Sequence, residues 1–331
     1  MAKNEIISEW LYLSNSKSDK LVYKYERKED EFIFGEYFKN KDLVNRLSII
    51  ADSISSNTCI LFLKAVSTYN NLFSEYNEAE ILKSVFGWFE NNLKIKSPDS
   101  IISDYAYFMS QENIGSILKF FNDFDLSISR YDFFECPKEQ IALKLPKEIF
   151  DDLISRIEKN LMEDDENDCV MFGLSDDFYV ARLIDGRIHF ETIRFYHEGT
   201  EEPFYMYEES DGTKKIFKLL EILFQEDDDI IYVVDEIDRC LHPLLTYNFI
   251  NAFLEKALTT NCQLIVTTHE SLLLDFRLLR KDEIWFVEKE NGCSVLKSIG
   301  TSNIRADKNV MRFHLLGELG APNINKNAYK E

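Results

Sequence analysis

Two carboxylates stand side by side at Asp235-Glu236, directly after the apolar run Ile230-Ile231-Tyr232-Val233-Val234. An unbroken apolar run of this kind makes a strand buried on both faces. In open α/β sheets, ligands bind beyond the carboxyl ends of such strands. An Asp at that position can hold Mg²⁺, mostly through water. The Glu that follows points elsewhere and can orient or deprotonate an attacking water. The same pattern also describes a strand leaving the core into an acidic loop.

A second apolar run, Gln263-Leu264-Ile265-Val266-Thr267, leads into Thr268-His269. His269 lies 33 residues after Glu236, which leaves room for one crossover helix. The two strand ends are therefore expected side by side. An imidazole there could donate a hydrogen bond to a phosphate oxygen; capping the next helix is the plainer role. The third element is Glu209-Ser210-Asp211-Gly212-Thr213-Lys214-Lys215, 23 residues upstream when counted from Gly212 to Asp235. Ser and Gly at a helix N-terminus leave backbone N–H groups free to grip an anion. An ordinary N-cap and turn is the alternative.

These residues need a framework, and the sequence supplies one. Residues 5–35 read as short strands, with Ser14-Asn15-Ser16 as a turn. Residues 41–124 read as mostly helix, from apolar spacing at Leu43, Leu47, Ile50 and Ile54, at Ile81 to Phe89, and at Ile114 to Phe121. The aromatic stripes are read as helix–helix core. A strand at 126–134 and a helix from Pro146 to Leu161 follow. Hairpins are expected around Asp185-Gly186 and Asn291-Gly292. Between them, a helix from Thr213 to Phe224 and another from Pro243 to Leu258 alternate with the two buried strands, the mark of a parallel sheet. The acidic runs Glu163 to Asp168 and Glu226 to Asp229 read as solvated turns, because hard-cation loops need spaced ligands.

Apolar residues make up 45% of the 331, enough for a sizeable core and incompatible with global disorder. The net charge of −21 argues against a simple duplex-binding module, which needs a cationic face. No apolar run is long enough to span a membrane. The cysteines are scattered without a CxxC pair, so no zinc site is expected. Lone thiols fit a reducing, cytoplasmic setting.

Together, Ser210-x-Gly212-Thr213, the strand ending Asp235-Glu236, and Thr267-Thr268-His269 resemble an ATP-binding-cassette-type ATPase head. The resemblance is to the soluble branch that holds the DNA-repair, structural-maintenance and overcoming-lysogenisation-defect ATPases. It is nearest to the bacterial AAA-type ATPases often found in phage-defence and abortive-infection loci. The start, Glu5 to Tyr12, and the tail, Leu315 to Pro322, are also similar to theirs.

The resemblance implies an α/β P-loop NTPase fold, a parallel sheet flanked by helices plus antiparallel β, with a helical insertion. Its expected parts are 1–40 (antiparallel β), 41–165 (mainly helical) and 166–331 (core lobe). It implies ATP and Mg²⁺ as cofactors. Asp235 would be the metal residue, Glu236 the catalytic base and His269 the switch histidine. Ser210, Gly212 and Thr213 would form the signature that contacts the γ-phosphate held by an opposite protomer. Cys240, Leu241 and His242 fall at its dimer-contacting loop. The implied partner is a second copy, head to tail, or another ATPase or effector chain. The family's GxxxxGK[ST] is absent as written, since no Gly-Lys-Ser or Gly-Lys-Thr occurs. The expectation is therefore an N-terminally truncated head that needs a P-loop from elsewhere. The alternative is a non-catalytic interaction or regulatory module derived from such an ATPase. A Mg²⁺-dependent nuclease using the acidic runs is a weaker third reading.

Overall fold

The computed structural model describes residues 6–16, 18–26, 29, 31–55, 61–98, 106–109, 111–163, 169–174, 177–225, 228–301, 311 and 314. Glu5, the tail from Leu315 to Pro322, residues 164–168 and residues 226–227 lie outside them. The chain divides into two compact units, Met1–Lys94 and Ile95–Glu331.

In the first unit, β1 (Ser8–Ser14), β2 (Asp19–Glu26) and β3 (Glu31–Phe34) form an antiparallel sheet in that order. Helices α1 (Lys41–Ser55), α2 (Phe62–Ser67), α3 (Asn70–Glu75) and α4 (Glu80–Asn91) follow. Their apolar positions at helical spacing meet the sheet in one core: Leu43 and Leu47 of α1, Phe62 and Val66 of α2, Leu82 of α4, and Val22 and Tyr23 of β2. Tyr23 fixes this packing through a carboxylate. Its hydroxyl donates to Glu9 at 2.7 Å, and Glu9 also accepts from the N–H groups of Phe62 and Leu63 that open α2. Burial and that carboxylate push the Tyr23 phenol far above its usual range. The stripe from Ile81 to Phe89 is only partly core: Leu82 is buried, whereas Phe89 is exposed. The six-residue α2 on which α4 packs is too short to cover the last turn of a twelve-residue helix.

Strand β4 (Leu93–Lys96) leads into the second unit. Then come α5 (Ala106–Met109), α6 (Gln111–Asp123), β5 (Ile128–Glu135), α7 (Lys138–Ala142) and α8 (Lys147–Glu163). Strands β6 (Cys169–Leu174), β7 (Asp177–Ile184), β8 (Arg187–His197) and β9 (Phe204–Tyr205) complete an antiparallel sheet of order β5-β8-β7-β6, with β9 on β8. The stretch 41–165 is thus mainly helical but also contributes β4 and β5.

Helix α9 (Asp211–Phe224) leads into β10 (Ile231–Val234), α10 (Pro243–Ala257) and β11 (Gln263–Val266). A terminal hairpin, β12 (Trp285–Glu290) with β13 (Cys293–Ser298), follows. Strands β10 and β11 pair in parallel, Val234 opposite Val266, in a sheet of order β11-β10-β4. Phe217 of α9 is the hub of the core, with the rings of Phe195, Phe121 and Phe108 at 4.6, 5.0 and 5.2 Å. One apolar stripe of α9 thus holds the helix against the antiparallel sheet, and Tyr232 and Val234 of β10 lie in the same core. Among the described residues, no helix is long and apolar enough to cross a membrane.

Candidate functional site

Asp235 and Glu236 leave the carboxyl end of β10, and Thr267 leaves the end of β11 beside them. Parallel pairing fixes this meeting: Thr267 N donates to Val234 O at 3.0 Å, and Ile237 N donates to Thr267 O at 3.1 Å. Side chains join the ladder here. The Thr267 hydroxyl donates to Asp235 Oδ1, and Thr267 Oγ1 accepts from Glu236 N at 2.8 Å. On the other side, Asp235 N donates to the carbonyl of Lys96 in β4 at 2.9 Å. The Asp235 carboxylate is thus steered by a neighbouring hydroxyl and remains exposed.

Glu236 has φ of 47°, in the left-handed region where a non-glycine residue costs about 1–3 kcal/mol. Three bonds over-determine that turn. Besides its N–H to Thr267, its carbonyl accepts from Arg239 N at 3.1 Å and from Lys215 Nζ at 3.3 Å. The left-handed turn at Glu236 breaks the line of the strand directly after Asp235.

Ser210 is the N-cap of α9, its Oγ accepting from Thr213 N at 3.1 Å, with the Thr213 hydroxyl 2.8 Å away. Gly212 sits against the turn that follows β10, where a Cβ would come within 2.9 Å of the Cys240 carbonyl oxygen. We expect Gly212→Ala to cost about 1–3 kcal/mol by forcing the helix off that turn. A urea midpoint unchanged by the substitution would contradict this close approach.

His269 follows β11, and its backbone N–H donates to the Asp238 carboxylate at 3.3 Å. The helix cap expected of it falls to its neighbour: Glu270 caps the short turn Ser271–Leu273 by accepting from Leu272 N at 2.8 Å. The His269 ring stays exposed. His242 caps α10, its Nδ1 accepting from Leu244 N at 3.3 Å. Gly212 of the α9 start thus meets the 235–242 turn at Cys240, His269 meets it through Asp238, and Asp235 and Glu236 open it.

Sequence reasoning missed two members of that cluster. Thr267 bridges the two carboxylate residues. Lys215, 8% exposed, is a buried cation behind Glu236. Burial holds its ammonium below the usual lysine range, helped by the positive charges of Lys218 and Arg239. No group of three His, Cys, Asp or Glu among the described residues could cage a metal. Mg²⁺ needs no such cage, since it binds through one or two carboxylates plus phosphate oxygens and water. Asp235, oriented but exposed, fits that donor role.

In the first unit, Gly35 ends β3 and residues 36–40 lead into α1 at Lys41. Only Gly35 and Lys41 match the fixed positions of GxxxxGK[ST], and β3 is an edge strand of an antiparallel sheet. Gly35 is obligatory where it stands, since a Cβ would lie 1.9 Å from the Leu21 carbonyl oxygen.

Residues 2–275 match the model of a protein family described as "AAA domain, putative AbiEii toxin, Type IV TA system". A search of curated proteins finds no match.

Proposed function

The chain belongs to this AAA-domain family, and we propose that it is an ATP-hydrolysing module of the ATP-binding-cassette-head type, acting in an abortive-infection or toxin–antitoxin setting. The observation that carries the reading is the Asp235–Glu236 pair at the end of β10, tied to β11 through Thr267. Asp235 would hold Mg²⁺, which supplies charge neutralisation at the phosphates. Glu236, turned away from the strand, is the group that takes a proton from the attacking water. His269 would donate to a phosphate oxygen from the adjacent strand end. Ser210, Gly212 and Thr213 would face the γ-phosphate of a nucleotide on a second copy, head to tail. The phosphate cradle would come from elsewhere, so nucleotide affinity of this chain alone would be weak.

Phosphate release at millimolar Mg²⁺·ATP tests this. Saturable, Mg²⁺-dependent release is expected when a chain carrying GxxxxGK[ST] is added, and none from this chain alone. The second reading, a non-catalytic interaction module, is favoured by the lack of GxxxxGK[ST] in this sequence; no release even with a GxxxxGK[ST]-bearing chain added would select it.

A further inference from the structure

Strand β11 is the outermost strand on its side of the sheet β11-β10-β4. In a parallel ladder, successive residues aim their main-chain groups at opposite neighbours. Gln263 N and Thr267 N donate to Ile230 O and Val234 O at 2.9 and 3.0 Å, which fixes the phase of that alternation. Ile265 therefore also faces β10, and the N–H and C=O of Leu264 and Val266 face outward. Among the described residues, no strand receives them. Such an open edge is a template for one more strand.

One face of the same sheet is covered and the other is not. Tyr232, Val234, Leu264 and Val266 share one core with α9 and α10. The alternate positions, Ile95 of β4, Val233 of β10 and Ile265 of β11, belong to no core among the described residues. Ile95 is 68% exposed and Ile265 55%. Val233 stands opposite Ile265 in the ladder. Parallel sheets are stable when helices cover both faces, so this stripe calls for a helix as the edge calls for a strand. The carboxylates of Asp235, Glu236 and Asp238 stand at the carboxyl end of that edge. They and the net charge of −21 favour a partner that brings positive charge there over a second copy of equal charge.

We infer that the β11 edge and the Ile95–Val233–Ile265 face form a docking surface for a strand–loop–helix segment of a separate chain. Its strand runs parallel to β11 and its helix covers the open face. A parallel strand there ends beside Thr267, so its loop arrives next to Asp235 and Glu236. With GxxxxGK[ST] in that loop, the lysine supplies the positive charge. The identity of the loop rests on the proposed hydrolytic reading; the open edge and the open face stand without it.

The test titrates the full chain with a fluorescently labelled strand–GxxxxGK[ST]–helix segment from a member of the same family that carries this motif. Saturable binding is expected, weakened about tenfold or more by Ile265→Lys. Leu296→Lys, which adds the same charge at an exposed site on β13, should leave it unchanged. Both lysines replace exposed side chains, so the fold survives either change. Amide exchange read residue by residue should slow about tenfold or more at Leu264 and Val266 in the complex. It should change little at Ile265, whose N–H already faces β10. Absence of binding at about 1 mM, equal weakening by the two lysines, or unslowed exchange at Leu264 and Val266 would overturn the inference. Protection of those amides in the chain alone, rising with its concentration, would assign the edge to a second copy and also overturn it. The proposed reaction fails separately. Docking without phosphate release keeps the inference and sinks the reaction; release beside an unprotected edge does the reverse.

Discussion

Replacing Glu236 with Gln is expected to lower ATP turnover by about 100- to 10,000-fold with KM unchanged. The substitution removes a proton acceptor and little else. Gln matches Glu in size, and both carry the same cost at the φ of 47° found there. The bonds that hold the turn run through backbone atoms of residue 236, to Thr267, Arg239 and Lys215, and survive the change. Stability should therefore move by no more than about 0.5 kcal/mol. A loss in kcat with an intact melting transition separates chemistry from folding. Turnover unchanged by the substitution would favour the non-catalytic module.

The second large effect concerns the frame of the site. Lys96 Nζ lies 2.6 Å from Glu221 Oε2, and the Glu221 side chain is fully buried. Lys96 also offers its backbone carbonyl to Asp235 N, so one residue ties the last turns of α9 to the residue proposed to hold the metal. Glu221→Leu takes the carboxylate from a buried ammonium and is expected to cost about 3–5 kcal/mol. A lowered urea midpoint at an unchanged m-value is the expected readout. Lys96→Met combined with Glu221→Leu removes both charges and should recover most of that loss, because a packed apolar pair avoids the desolvation cost. The Asp235 N–H bond to the main chain of residue 96 survives in the double variant. Recovery of stability without recovery of turnover would mean that the charges also orient the site. A single substitution costing under about 1 kcal/mol would show that the pair does not bind the elements together.

Local signals made much of this fold legible. Asp185-Gly186 and Asn291-Gly292 each pair two residues with positive φ, 51° and 72° in the first, 50° and 84° in the second. Turns of that hand match the strand twist, so the dipeptides alone located both hairpins. The apolar runs before Asp235 and Thr267 gave two adjacent parallel strands; the second is not buried on both faces as expected, since Ile265 of β11 is exposed. Strand β6 escaped notice: all of its residues are half-buried, so it shows no alternation. Thr267 escaped because a hydroxyl becomes a bridge only when the neighbouring strand arrives. The Lys96–Glu221 pair spans 125 positions, beyond the reach of any local pattern.

Phosphate release from ATP by the full chain mixed with a GxxxxGK[ST]-bearing chain, beside Asp235→Asn, tests the hydrolytic centre most directly. Asn keeps a side-chain oxygen for the Thr267 hydroxyl but gives up the charge that attracts Mg²⁺. The expected result is saturable, Mg²⁺-dependent release by wild type that falls to background in the variant. Release that is indifferent to Mg²⁺, or equal in the two proteins, would contradict a hydrolytic centre at the end of β10.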